Sequence, residues 1–168
     1  LPAFATAVAG GAAVIRVNQW ANAYVANEGF MEGRAAEAMR YRSLLRAEHV
    51  RVFADVHVKH GSHAIVADRP IPELARDLAF FDADCVIATG QRTGNAASLD
   101  EIGEIGGATH LPLLVGSGVT EDNILPILAR TNGVIVASSL KEGAVWWNPV
   151  DPARVRRFVD RAAEGLAS

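Results

Sequence analysis

The chain has 168 residues, of which 50% are hydrophobic, 21% charged and 7% aromatic. That size points to one domain over 1–168 with enough apolar material for a sizeable core, and the composition excludes a disordered or collagen-like chain. A formal charge of −3, from 16 basic and 19 acidic residues, excludes the electrostatic footprint of a nucleic-acid binder.

The first fifteen residues are apolar and stop at Arg16. They lack a preceding positive charge and fall short of the roughly 20 residues of a membrane helix, so neither a signal peptide nor an integral membrane segment is expected. The absence of an initiator methionine points to a truncated or processed start. Short β-branched runs then alternate with helical stretches. The first run, 13–17, carries Arg16 and Asn18 at its end, and a long polar loop with Asn22, Asn27, Glu28 and Glu32 follows it. A helix is expected over 32–48, with Ala35, Ala36, Met39 and Leu44 inward and arginines outward. The second run, 52–58, leads to a helix over 72–81. The third, 85–89, contains the lone Cys85, which reads as a buried core residue. A single cysteine allows no disulfide framework, so a reducing, cytoplasmic compartment is expected.

Ser98 and Glu101 form a capping box for the next helix. The fourth run, 113–115, passes through Gly116-Ser117-Gly118-Val119-Thr120 into a helix over 121–130 that Thr120 caps. The fifth, 134–137, ends in Ser138, Ser139 and Lys141. Trp146 and Trp147 read as aromatics packed under a loop. Asp151-Pro152 is an N-cap followed by an N1 proline; it opens a helix whose stripe is Val155, Phe158, Val159, Ala162 and Leu166. Strands and helices in series give an α/β protein with a parallel sheet.

In such folds the functional residues gather after the strands' C-terminal ends. The second run is the most polar of the five. Side-chain alternation along a strand predicts that Asp55, His57 and Lys59 share one face. Burying unpaired charge costs several kcal/mol, so these groups must pair, meet water or meet a ligand. One reading is a structural Asp55–Lys59 ion pair. The other is a catalytic set, with His57 as acid/base, Asp55 orienting it and Lys59 as electrophile or anion binder. His57, His60 and His63 invite a metal reading, but a spacing of three fits no single strand face and no carboxylate or cysteine completes the set. No metal or cofactor is therefore expected. Glycines at 116 and 118 expose backbone amides ahead of a helix, which favours an anion; this stretch matches neither the Walker A nor the dinucleotide fingerprint. Gly116, Ser117, Gly118, Ser138 and Ser139 are the expected phosphate-binding residues, with Arg16 and Asn18 looking into the same site. Glu32, His60, Thr89 and Lys141 are further candidates at or near strand ends.

Together, Ile15-Arg16-Val17-Asn18, Glu32-Gly33, Phe53-Ala54-Asp55-Val56-His57-Val58-Lys59-His60, Leu114-Val115-Gly116-Ser117-Gly118-Val119-Thr120 and Trp147-Asn148-Pro149-Val150-Asp151 resemble the BtpA/SgcQ family from about Gly11 onward. The resemblance implies a TIM (β/α)8 barrel of the ribulose-phosphate-binding type. Such barrels run to about 250 residues, so the five βα units here read as an N-terminally truncated partial barrel. Where the family pattern has glycine and threonine before the last serine, this chain has Ala137 and Ser138, which crowds an anion there. The function expected is bacterial enzymatic chemistry of isomerase or lyase type on a small phosphorylated molecule. The alternatives are a non-catalytic factor for photosystem I biogenesis, a role for which one branch of the family is named, or an inactive fragment. Open sheet edges at Val14 and Val134 make homo-oligomerisation a further expectation.

Overall fold

A computed structural model describes residues 2–59, 61–90 and 96–166. Helix α1 (Pro2–Gly10) precedes strand β1 (Val14–Val17), and a hairpin of β2 (Ala23–Ala26) and β3 (Gly29–Glu32) follows. Then come α2 (Ala35–Leu44), β4 (Arg51–Asp55), α3 (Ile71–Phe80), β5 (Cys85–Ala88), α4 (Leu99–Ala108), β6 (Leu113–Val115), α5 (Ile124–Leu128), β7 (Gly133–Val134) and α6 (Pro152–Leu166).

The five β-branched runs all become strands of one parallel sheet, ordered β1-β4-β5-β6-β7. Its edge strands are β1 and β7, the two the sequence marks as open. All four residues of β5 are buried, as a central parallel strand requires. Side-chain alternation splits the sheet into two faces. Ile15, Val52, Ala54, Val86, Ala88, Leu113 and Val115 enter the hydrophobic core together with residues of the flanking helices. Arg16, Phe53, Asp55 and Ile87 take the other parity.

Local signals set the helix starts. The Ser98 hydroxyl accepts the Glu101 amide at 3.1 Å, which is the backbone half of the capping box. Asp151 accepts the amides of Ala153 and Arg154 at 2.8 and 3.3 Å. Three helical expectations shift. Helix α2 starts at Ala35 because Glu32 belongs to β3, and it buries Ala35 and Ala38, whereas Ala36 and Leu44 face solvent. The last helix buries Phe158 but leaves Val159 57% exposed. The helix expected from 121 begins only at Ile124, because residues 120–123 form a turn first.

The polar loop after β1 is the largest departure. It folds as the β2–β3 hairpin, with Tyr24 opposite Met31 and Val25 opposite Phe30. Val25 then exchanges backbone hydrogen bonds of 3.0 and 2.8 Å with Ser62, which ties the hairpin to the segment after β4. Trp146 and Trp147 pack edge-to-face with each other and stay 64% and 68% exposed, so they do not lie beneath a loop. Among the described residues no helix is long and apolar enough to cross a membrane.

Candidate functional site

The site forms where the C-terminal ends of β1, β4, β6 and β7 meet. Arg16, on β1, reaches across to Asp55, the last residue of β4. Its Nε donates to Oδ1 at 2.9 Å and an Nη to Oδ2 at 3.1 Å, a bidentate pair. Asp55 is 4% exposed, so this pair is what makes its burial tolerable. Burial pushes the Asp55 carboxyl above its ordinary range, while Arg16 and Lys59 pull it back.

Lys59 lies four residues beyond the strand, and its Nζ donates to the Ser117 hydroxyl at 2.8 Å. Burial, then repulsion from Arg16, holds this amine below the ordinary lysine range, with Asp55 opposing. Arg16 and Lys59 border two clefts at once. One, of about 390 Å3, runs along Gly116–Thr120 and Ile135–Ser139. The other, of about 380 Å3, is lined by Asn18, Tyr24, Glu28 and Asp55.

The first cleft is shaped by two tied loops. Gly116 sits so close to its neighbours that a β-carbon there would lie 2.6 Å from Ile87 Cγ2 and 3.1 Å from an Arg16 Nη atom. Only glycine lets the chain pass beside the Arg16 guanidinium. The Asn123 side chain accepts the Thr120 amide at 2.8 Å and donates to the Gly118 carbonyl at 3.0 Å. The Ser139 hydroxyl donates to the Val119 carbonyl at 2.8 Å, joining the two loops. Carbonyls of this stretch are thereby occupied. The amides of Ser117, Gly118 and Val119, and those of Ser138 and Ser139, make no hydrogen bond among the described residues. Donors without acceptors beside two cations suit an anion.

Several expected site residues lie elsewhere. His57 does not share a face with Asp55 and Lys59. Strand β4 ends at Asp55, so alternation stops before His57, and both Asp55 oxygens are already engaged by Arg16. The His57 ring instead stacks on His63 with centroids 3.7 Å apart, and His63 stacks on Tyr24 at 5.1 Å. Gly61 permits this stack, since a β-carbon there would sit 2.2 Å from the Tyr24 ring. His57 lines a third cleft with His63, Val66, Arg69 and Leu74. Burial, and secondarily His63, lowers its pKa. Thr89 is buried with its hydroxyl donating to the His57 carbonyl at 2.7 Å, a structural role. Lys141 donates to the Trp146 carbonyl and borders neither cleft. Glu32 lines a separate surface groove with Trp20 and Arg34. The Ser139 hydroxyl is spent on Val119, leaving its amide for a ligand, and Ala137 does line the cleft. His60 falls outside the described residues.

Two contributors escaped the sequence reading, Asn123 and Tyr24. An asparagine in the turn after Thr120 is a signal for a side chain that closes a turn on its own backbone. Tyr24 falls in the polar stretch expected to be a loop, although paired apolar residues on either side of Asn27-Glu28-Gly29 have the pattern of a hairpin.

A family model described as the BtpA family matches residues 1–164. An uncharacterised mitochondrial protein of Caenorhabditis elegans is 38% identical over 157 residues, which cover 94% of this chain and 56% of that protein. An uncharacterised protein of Archaeoglobus fulgidus is 40% identical over 163 residues, covering 97% and 62%. The photosystem I biogenesis protein BtpA of Synechocystis is 38% identical over 173 residues, covering 99% and 58%. The chain thus spans between 56% and 62% of the length of these relatives. Among solved structures, Mycobacterium tuberculosis tryptophan synthase matches with TM-score 0.56 at 16% identity, over 95% of this chain and 53% of that one. A geranylgeranylglyceryl phosphate synthase from Thermoplasma acidophilum, in complex with sn-glycerol-1-phosphate, matches with TM-score 0.52 at 10% identity, over 77% and 57%. At such identities the likeness is one of fold, and the neighbours are TIM-barrel-type enzymes.

Proposed function

The chain belongs to the BtpA family, and from that membership we propose that it forms the phosphate-binding part of a barrel enzyme acting on a small phosphorylated metabolite. In this reading strands outside residues 1–168 complete the barrel beyond β1 and β7. The observation that carries it is the cleft itself. Five backbone amides with no hydrogen bond among the described residues belong to the loops after β6 and β7, which line the same cleft as Arg16 and Lys59. A phosphate dianion there takes charge-assisted hydrogen bonds without desolvating an opposing carboxylate, because Asp55 is already matched by Arg16. The fold likeness to a synthase whose complex contains glycerol phosphate supports the same substrate class.

The chemistry that suits these groups is proton transfer in an isomerase or lyase step, with Lys59 stabilising charge that develops on the substrate. His57 does not fit as its acid/base, since its ring is packed against His63. Lys59 and Tyr24 are two groups at the clefts that can give a proton. Burial first, then Glu28 and Asp55, keeps the Tyr24 phenol protonated beyond its ordinary range. A second reading, an assembly factor, is favoured by the name of the Synechocystis relative. The nematode relative, equally identical, belongs to an organism with no photosystem to assemble.

The test is an amide NMR titration of the chain with inorganic phosphate. The reading expects saturable shifts at Ser117, Gly118, Val119, Ser138 and Ser139. A spectrum unchanged at millimolar phosphate refutes it.

A further inference from the structure

Lys59 stands at the junction of the two clefts, beside a hydroxyl and a second cation, with the phosphate loops on one side and Tyr24 on the other. We propose that Lys59 is a covalent catalytic residue, whose amine condenses with the carbonyl group of a phosphorylated ketone or aldehyde held by the loops after β6 and β7. This rests on the phosphate reading above and adds the substrate's second functional group.

The geometry supports it in three ways. A single lysine reaches both clefts, so a substrate anchored by its phosphate at Ser117–Val119 presents its next carbons to Nζ. The Ser117 hydroxyl is 2.8 Å from Nζ and can relay protons to and from it. Arg16 lines both clefts together with Lys59, and its charge disfavours the ammonium form. Proximity to another cation and partial burial are the two ways a lysine is activated as a nucleophile at neutral pH, and both act on this amine. Asp55 opposes the effect but does not outweigh burial and Arg16 together.

The step balances within these groups. Nζ, as the free amine, bonds to the carbonyl carbon while the C=O π pair moves to oxygen, which takes a proton. The carbinolamine then loses that oxygen as water and leaves a protonated imine. Taken from the ammonium, two protons depart with the carbonyl oxygen and one stays on nitrogen. No oxidant or reductant is needed. The positive imine withdraws electrons from the adjacent carbon, which is what an isomerase or a lyase acting beside a carbonyl requires.

The chain's composition makes the test sharp, because its only lysines are Lys59 and Lys141. The chain is incubated with dihydroxyacetone phosphate and sodium borohydride, which reduces an imine to a stable secondary amine, and the adduct is mapped by peptide mass spectrometry. The expected result is a single adduct on Lys59, at least tenfold above Lys141 and the α-amine, competed several-fold by inorganic phosphate. Lys141→Arg leaves it unchanged and Lys59→Arg abolishes it. Should Lys59→Arg fail to fold, Ser117→Ala substitutes, with several-fold slower trapping expected. Saturable phosphate shifts without any adduct overturn this inference and leave the phosphate reading standing. Equal labelling by unphosphorylated dihydroxyacetone keeps the amine chemistry and overturns the phosphate anchor. Equal labelling of Lys59 and Lys141 overturns the inference.

Discussion

Asp55, His57 and Lys59 leave the same strand end within five residues, yet they reach two different environments. Asp55 and Lys59 turn toward Arg16 and the loop at Ser117, where every group is charged or hydrogen-bonded. His57 turns toward His63 and Tyr24, in a stack of rings beside Val66 and Leu74. The first region is a cation-rich cleft open to an anion. The second is a packed aromatic column that anchors the hairpin. An ionisable residue next to a site in sequence is therefore not a member of it in space: what decides is where the last ladder hydrogen bond falls.

The largest effect that distinguishes the two regions comes from Arg16→Ala. It strands a carboxylate that is 4% exposed, and breaking a buried pair costs roughly 3–5 kcal/mol. Because the Arg16 side chain is 35% exposed, about 2–3 kcal/mol is expected in urea unfolding. The pH dependence has a definite sign. Asp55 already titrates above its ordinary value in the fold, so its ionisation opposes folding, and that cost appears as pH rises through the folded pKa. Removing Arg16 raises the folded pKa further. The Arg16→Ala defect is thus largest near neutrality and shrinks as pH falls through the folded pKa of the variant and then that of the parent, both above the ordinary aspartate value. A defect independent of pH would mean that the pair does not set the burial of Asp55.

Gly116→Ala comes next. Its β-carbon must displace Ile87 or Arg16, and overpacking of this kind costs about 1–3 kcal/mol. Phosphate affinity should fall together with stability, whereas a Gly61→Ala variant, which strikes the Tyr24 ring, should lose stability and keep phosphate affinity. Both variants behaving alike would erase the distinction between cleft and column.

Lys59→Ala against His57→Ala is the direct contrast. Losing one charge-assisted hydrogen bond weakens phosphate binding about tenfold, measured by calorimetry, and His57→Ala leaves it within a factor of two. The smallest effect belongs to His57 itself. Its folded pKa is lowered, so it contributes stability above its unfolded value near 6.5 and loses it as pH falls through that value toward the folded pKa. His57→Phe should flatten that part of the profile of stability against pH, and an unchanged profile would place the histidine in water.

Local pattern carried much of this. The five apolar runs predict the five parallel strands because a buried strand needs only brevity and β-branched residues to be recognised. Ser98 and Asp151 cap their helices through bonds that span two or three residues. Arg16, Lys59 and the Gly116–Gly118 turn line one cleft at the strand ends and Asn18 lines its neighbour, the neighbourhood to which the strand-end rule points. What failed needed partners distant in sequence. The polar loop is a hairpin because Ser62 pairs with Val25, 37 positions away by sequence number. The helix at 124 starts late because Asn123 first closes the turn that holds Gly118.

The sequence by itself determined an α/β chain with a parallel sheet, the residues at its strand ends and the family it resembles, since those depend on periodicity and short-range motifs. Only the tertiary structure decided which of the three ionisable residues after β4 belong together. Past Asp55 the backbone leaves the ladder, and the direction of each side chain is then set by contacts from β1, β6 and the hairpin that no local period encodes.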